Sequence, residues 1–132
     1  MDKVWQSILQ PDATIAVVGL SNRPERPSYQ VAKFLVASGF QVIPIHPGYH
    51  EVLGAKAYSS LQAVGQPIDV VNIFRRSEEV LPIVAEAISL QVAGIWLQEQ
   101  IISLQAATLA AEKGIPFVMD RCLKKAYAEW KG

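Results

Sequence analysis

The first stretch that could do chemistry is Gly19-Leu20-Ser21-Asn22-Arg23-Pro24-Glu25-Arg26-Pro27-Ser28, which follows the β-branched run Thr14 to Val18. Pro27 sits where a helix would open. A glycine-opened loop running into a helix N-terminus suits a phosphate. Gly19 lets the backbone approach, the unpaired N–H groups of the first helical turn point at the anion, and the helix dipole favours negative charge. Ser21, Asn22 and Ser28 can add side-chain donors. The dinucleotide fingerprint G-x-G-x-x-G is not met, because Ser21 stands where the second glycine would be and no third glycine follows. Phosphate binding is the expected role of this loop, with a plain strand-to-helix turn as the alternative.

Two further guanidinium groups, Arg75 and Arg76, follow the run Val70 to Phe74 and precede Ser77. With Arg23 and Arg26 they put four arginines into two loops, and arginine forks grip phosphate in bidentate fashion. Lys plus Arg and Asp plus Glu both number 12, so any anion site must be built locally, and neither nucleic acid nor an anionic membrane is an expected partner. The competing expectation is that Arg23, Arg26 and Arg76 pair with Glu25, Glu78 and Glu79 on a solvated surface, where such pairs contribute little. The two readings balance for Arg23 and Arg76, whereas phosphate binding leads for Arg26 and Arg75.

His46 and Pro47 follow a second β-branched run, at the place where an NAD-binding domain carries an acidic residue for its ribose hydroxyls, so a standard NAD site is disfavoured. His46 has no carboxylate at an obvious spacing to make it a base and reads as a wall of a ligand site. His50 lies four residues on, but Pro47-Gly48 prevents the helix that would bring the two rings together on zinc, and no metal site is expected. Cys122 opens the C-terminal helix, where a thiol pKa can fall. With no base nearby it reads as a buried thiol, with Asp120 capping that helix and pairing Arg121.

The elements that must position these residues alternate between short β-branched runs and helix-period segments, the pattern of βαβ units feeding a parallel sheet. Strands are expected at 14–18, 41–45, 70–74, 94–97 and 116–119, with a short extra one near 55–58. Most lack in/out alternation, as strands covered on both faces do. Helices are expected at 2–10, from Pro27 to about Ser38, at 77–90 with Pro82 near the first turn, at 103–113 and at 123–130. Trp5 and Trp130 would pack on the sheet or seal its edges. The expected fold is a Rossmann-like α/β domain over residues 1–132, a doubly wound parallel sheet of five to six strands in three α/β/α layers, with strand order near 3-2-1-4-5-6. Ligands of such sheets bind outside the carboxyl ends of the strands, where the loops beginning at Gly19, His46 and Phe74 lie. Hydrophobic residues make up 51% of the chain without a membrane-length run or signal-peptide layout, and its one cysteine suits a reducing compartment, so the expected location is cytoplasmic.

Taken in order, Val-Val-Gly-Leu-Ser-Asn-Arg-Pro with Arg-Pro-Ser-Tyr behind it, Val-Ile-Pro-Ile-His-Pro, Phe-Arg-Arg, Ile-Trp-Leu-Gln and Val-Met-Asp-Arg-Cys resemble the small stand-alone CoA-binding domain proteins. Those are similar to the nucleotide-binding domain of succinyl-CoA synthetase α subunits. The resemblance implies coenzyme A or an acyl-CoA along the carboxyl edge of the sheet. Gly19, Leu20 and Ser21 would hold its pyrophosphate, with Arg26, Ser28 and Tyr29 beside them. His46 and Pro47 would border the adenosine, Phe74 and Arg75 would line the cleft, and Gln98 would flank the pantetheine. The chain departs from the family's usual pattern at His46, where Asn is usual, at Glu99-Gln100-Ile101, where a Leu-Gly-Val-like run is usual, and at Leu123, where Pro is usual. A phosphate loop and clustered arginines without a recognisable nucleophile and base point to a non-catalytic module, which a protein partner or a second copy could join. The alternatives are an NADP- or ADP-sensing module and, further off, a transferase or ligase fragment using His46 or Cys122.

Overall fold

The computed structural model describes residues 2–131. Five strands, β1 (Thr14–Val18), β2 (Gln41–Ile45), β5 (Val70–Ile73), β6 (Gly94–Leu97) and β7 (Phe117–Val118), form one parallel sheet in the order β2-β1-β5-β6-β7. A separate antiparallel hairpin, β3 (Glu51–Val52) with β4 (Ala55–Lys56), lies between β2 and β5 in sequence. The chain then returns to the sheet for one parallel bridge, Tyr58 beside Ile45. Counting that bridge as a reduced edge strand gives the order 3-2-1-4-5-6. The expected extra strand at 55–58 thus divides: Ala55 and Lys56 pair within the hairpin, and Tyr58 alone reaches the sheet.

Three helices, α1 (Asp2–Ile8), α2 (Pro27–Ala37) and α5 (Leu123–Lys131), cover one face, where Trp5, Val31, Leu35 and Leu123 pack with Ile15, Val17, Val70 and Trp96. The other face is covered by α3 (Val80–Ser89) and α4 (Leu104–Glu112), with Val80, Val84 and Ala106 on Ala16, Val71, Ile73 and Ile95. All four residues of β5 and of β6 are buried, which is why neither strand alternates in sequence. The fold is the Rossmann-like α/β arrangement.

Local rules set the element ends. Ser103 caps α4, its hydroxyl accepting from the Ala106 N–H at 3.1 Å. The segment expected as a helix from Ser77 opens instead as a 3₁₀ turn over Ser77–Glu79 and becomes α-helical at Val80. Pro82 then falls in the first turn of α3, where its missing N–H removes no helical bond. Gly94 has a different constraint: a Cβ there would stand 2.6 Å from the Trp5 ring, so its absence lets α1 seat its indole on β6.

Candidate functional site

The four strands that face the expected ligand edge stop in step. Val18 is in register with Ile45 on one side and Ile73 on the other, and Ile73 with Leu97. The next residue on each strand is therefore His46, Gly19, Phe74 and Gln98, a row crossing three strand spacings, about 14 Å. One further rung of hydrogen bonds holds it. The N–H of Gly19 donates to Ile45 at 2.9 Å, that of Phe74 to Val18 at 2.8 Å, that of Gln98 to Ile73 at 3.2 Å, and that of His46 to Tyr58 at 2.8 Å.

Gly19 is fixed by sterics twice over. Its φ is +86°, and a Cβ would lie 2.6 Å from the Phe74 carbonyl oxygen. The loop then turns on its own hydroxyls: the Ser21 N–H donates to Ser28 Oγ at 3.0 Å, and the Arg23 N–H to Ser21 Oγ at 3.0 Å. Ser28 is buried at the start of α2, and accepting from Ser21 leaves its own O–H to donate. Arg26 takes the N-cap position of α2 without a side-chain capping bond, so its side chain does not cap the amides of the first turn. These groups open on a cleft of about 420 Å³ lined also by Arg23, His46, Tyr49 and Phe74. Among the described residues Arg26 makes no ion pair, which leaves its fork available to an anion.

The other arginines are engaged. Arg75 Nε and Nη2 both reach Glu79 Oε1 at 2.9 Å, and Arg76 Nη2 reaches Glu79 Oε2 at 2.9 Å. Hydrogen bonds from Arg76 and then Arg75 hold the Glu79 carboxyl below its usual range and raise the Arg76 guanidinium in return. Arg23 meets Glu25 at 3.4 Å with both side chains exposed. The expectation that Arg75 stands apart from surface pairing is therefore corrected. An i,i+4 spacing on the 3₁₀ turn gives it Glu79. It still faces the edge, lining a small recess with Gly19, His46 and Phe74.

His46 Nδ1 accepts from the Gly48 N–H at 2.9 Å, so the proton of the neutral ring sits on Nε2. Burial pushes its pKa below the ordinary histidine value, and the charge of Arg75 adds to the effect. The ring stacks on Tyr49 with centroids 4.1 Å apart. Tyr49 was not expected here; the only signal was an aromatic residue immediately after the Pro47-Gly48 turn. Pro47 itself lines a neighbouring recess with Ser59, Ser60 and Arg75.

At the other end of the row a larger cleft of about 890 Å³ runs from Phe74, Arg75 and Arg76 to Gln98, Gln100 and Asp120. Phe74 and Pro27 line both clefts, so the two adjoin at the middle of the row. Gln98 to Ile101 form a turn closed by the Ile101 N–H on the Gln98 carbonyl at 3.1 Å. Gln100 within it takes φ +68°, where glycine is normal. Asp120, at φ +58°, braces the turn by accepting from the Gln100 N–H at 2.7 Å.

That bond corrects the roles expected of Asp120 and Arg121. The first amide of α5, Leu123, donates to Gln98 Oε1 at 3.4 Å, so Gln98 does the capping expected of Asp120. Arg121 bonds Asp2 at 3.1 Å and lies over the rings of Trp96 and Trp130, tying the last helix to the first. Cys122 is buried, as expected. Three expected residues stand apart from the clefts: Leu20 is fully buried and offers only backbone, Asn22 is exposed beyond the lining, and Tyr29 turns to a groove with Lys33, Phe34 and Lys124. Among the described residues no three His, Cys, Asp or Glu side chains converge as metal ligands, and no helix is long and apolar enough to cross a membrane.

The sequence model of the family described as CoA binding domain matches residues 13–128, which takes in the Gly19 loop, the row and the Gln98 turn. The chain belongs to the CoA-binding domain family. This CoA-binding domain is 41% identical over 126 residues to the Bacillus subtilis (strain 168) protein YneT, covering 96% of this chain and 93% of that one. A hypothetical protein from Pyrococcus horikoshii OT3 superposes on the CoA-binding domain with a TM-score of 0.92 at 30% identity, over 99% of this chain and 92% of that one. A dinucleotide-forming acetyl-coenzyme A synthetase from Ca. Korarchaeum cryptofilum has a TM-score of 0.70 at 25% identity. The match covers 81% of this chain and 26% of the synthetase.

Proposed function

We propose that this CoA-binding domain holds coenzyme A or an acyl-CoA along the His46-Gly19-Phe74-Gln98 row and catalyses no reaction itself. The observation that carries the reading is the Gly19 cradle: a glycine whose φ and close backbone neighbour leave no room for a Cβ, the uncapped start of α2 and an Arg26 without an ion pair among the described residues line one cleft. Helix N-termini and arginine forks are strong phosphate ligands, and a pyrophosphate fits that donor set. In this reading Ser21, Asn22 and Ser28 add donors around the phosphates, and Tyr29 contributes by its first-turn amide. The adenosine lies against His46, Pro47 and Tyr49, Arg75 and Arg76 add positive charge over the middle of the row, and the pantetheine crosses Phe74 towards Gln98. Among the described residues no carboxylate bonds His46, and Cys122 is buried, which supports binding without catalysis.

NADP is the second reading, favoured by the arginines and by His46 in place of an acidic ribose ligand. Calorimetric titration with coenzyme A, NADP and ADP separates the two. Coenzyme A is expected to bind most tightly. Arg26→Ala is expected to weaken it by about 1.5 to 3 kcal/mol, tenfold or more, the usual worth of a hydrogen bond to a charged group. Equal affinity in variant and wild type, or tighter binding of NADP, would count against the proposal.

A further inference from the structure

Gln98 is the one polar side chain of the larger cleft that is almost fully buried, at 6% exposure. Its two ends differ. Oε1 is occupied by the Leu123 N–H, which fixes the amide orientation, while Nε2 has no acceptor among the described residues. Nε2 is open to water at the cleft wall, so an occupant that displaces this water must offer it an acceptor, because leaving the donor unpaired then costs stability. The wall next to it is apolar at Ile101 and Phe74. The charged groups around it are acidic or already paired: Asp120 bonds the Gln100 amide, Glu99 bonds Lys125 at 3.2 Å, and Arg75 and Arg76 are held by Glu79.

We propose that the Gln98 amide donates to the thioester carbonyl of an acyl-CoA, so that the cleft prefers neutral acyl thioesters to free coenzyme A and to acyl groups ending in a carboxylate. This rests on the coenzyme A reading of the row. A free thiol is a poor acceptor and leaves Nε2 unpaired, whereas a thioester oxygen satisfies it. A terminal carboxylate on the Gln98 side of the cleft would meet Glu99 and Asp120, while the guanidiniums of Arg75 and Arg76 are already bonded to Glu79.

The test is calorimetric titration of the whole protein with acetyl-CoA, coenzyme A, the thioether S-ethyl-CoA and succinyl-CoA. Acetyl-CoA and S-ethyl-CoA have the same chain length and differ in the carbonyl. Acetyl-CoA is expected to bind about three- to tenfold more tightly than S-ethyl-CoA and free coenzyme A, the range of one neutral hydrogen bond. Succinyl-CoA is expected to bind more weakly than acetyl-CoA. In Gln98→Glu, which keeps an acceptor for the Leu123 N–H but loses the donor, the preference for the carbonyl should vanish. Equal binding of acetyl-CoA and S-ethyl-CoA by the wild type overturns the inference while leaving the coenzyme A site intact. Selectivity that survives Gln98→Glu, or tighter binding of succinyl-CoA, also overturns it. Failure of all four ligands to bind removes the site itself.

Discussion

At the scale of single residues, the least replaceable position is Gly19. Ala at this position would combine φ +86° with a Cβ 2.6 Å from a backbone oxygen, so Gly19→Ala is expected to lower stability by about 1 to 3 kcal/mol in urea unfolding and to remove phosphate binding. His46 gives a pH dependence of known sign. Its folded pKa is depressed, so between that value and the ordinary one near 6.5 the unfolded chain binds more protons. Stability should therefore fall as pH drops through this window and be unaffected by His46 above it. Urea midpoints at pH 5.5 and 7.5 should differ more for wild type than for His46→Gln; an equal difference would place the titration elsewhere. Gly19, Ser28 and Arg26 were legible in the sequence because a glycine after a strand and a proline at a helix start fix where their neighbours stand. The engagement of Arg75 and the capping by Gln98 were not, since both depend on how a turn closes: the 3₁₀ start places Glu79, and Asp120 adopts φ +58° to bond Gln100 instead of Leu123.

At the scale of elements, the positions of strands and helices follow from β-branched runs and helical spacing, and the row of site residues follows from register. Because β2, β1, β5 and β6 end level, a residue type at one strand end is placed beside those at the next. The hairpin between β2 and β5 was harder to read, because two-residue strands carry no periodicity and only Tyr58 bonds the sheet. The N-terminal helix buries one side chain. Trp5 is fully buried, packs edge-on against Trp96 at 4.9 Å and occupies the space above Gly94. Trp5→Ala is expected to cost about 3 to 5 kcal/mol, measured by chemical denaturation. The row itself belongs to β-strands held by their own ladder, so coenzyme A affinity under native conditions should change little. A large affinity loss would mean that α1 helps to position the site.

At the scale of the whole molecule, a neutral chain gathers its useful positive charge at one sheet edge. Arg26 and the α2 N-terminus lie at the small cleft, and the turn built by Gln98 and Gln100 lies at the adjoining larger one. The groove of Lys33, Phe34 and Lys124 beyond α2 is a separate cationic surface and serves as an internal control. The most direct test is a two-dimensional amide NMR titration with coenzyme A. The amides of Leu20, Asn22, Ser28, Phe74 and Gln98 are expected to shift together along one saturation curve, while Lys33 and Lys124 stay in place. No shifts at saturating ligand, or shifts confined to Lys33 and Lys124, would contradict a coenzyme A site on the carboxyl edge of this sheet.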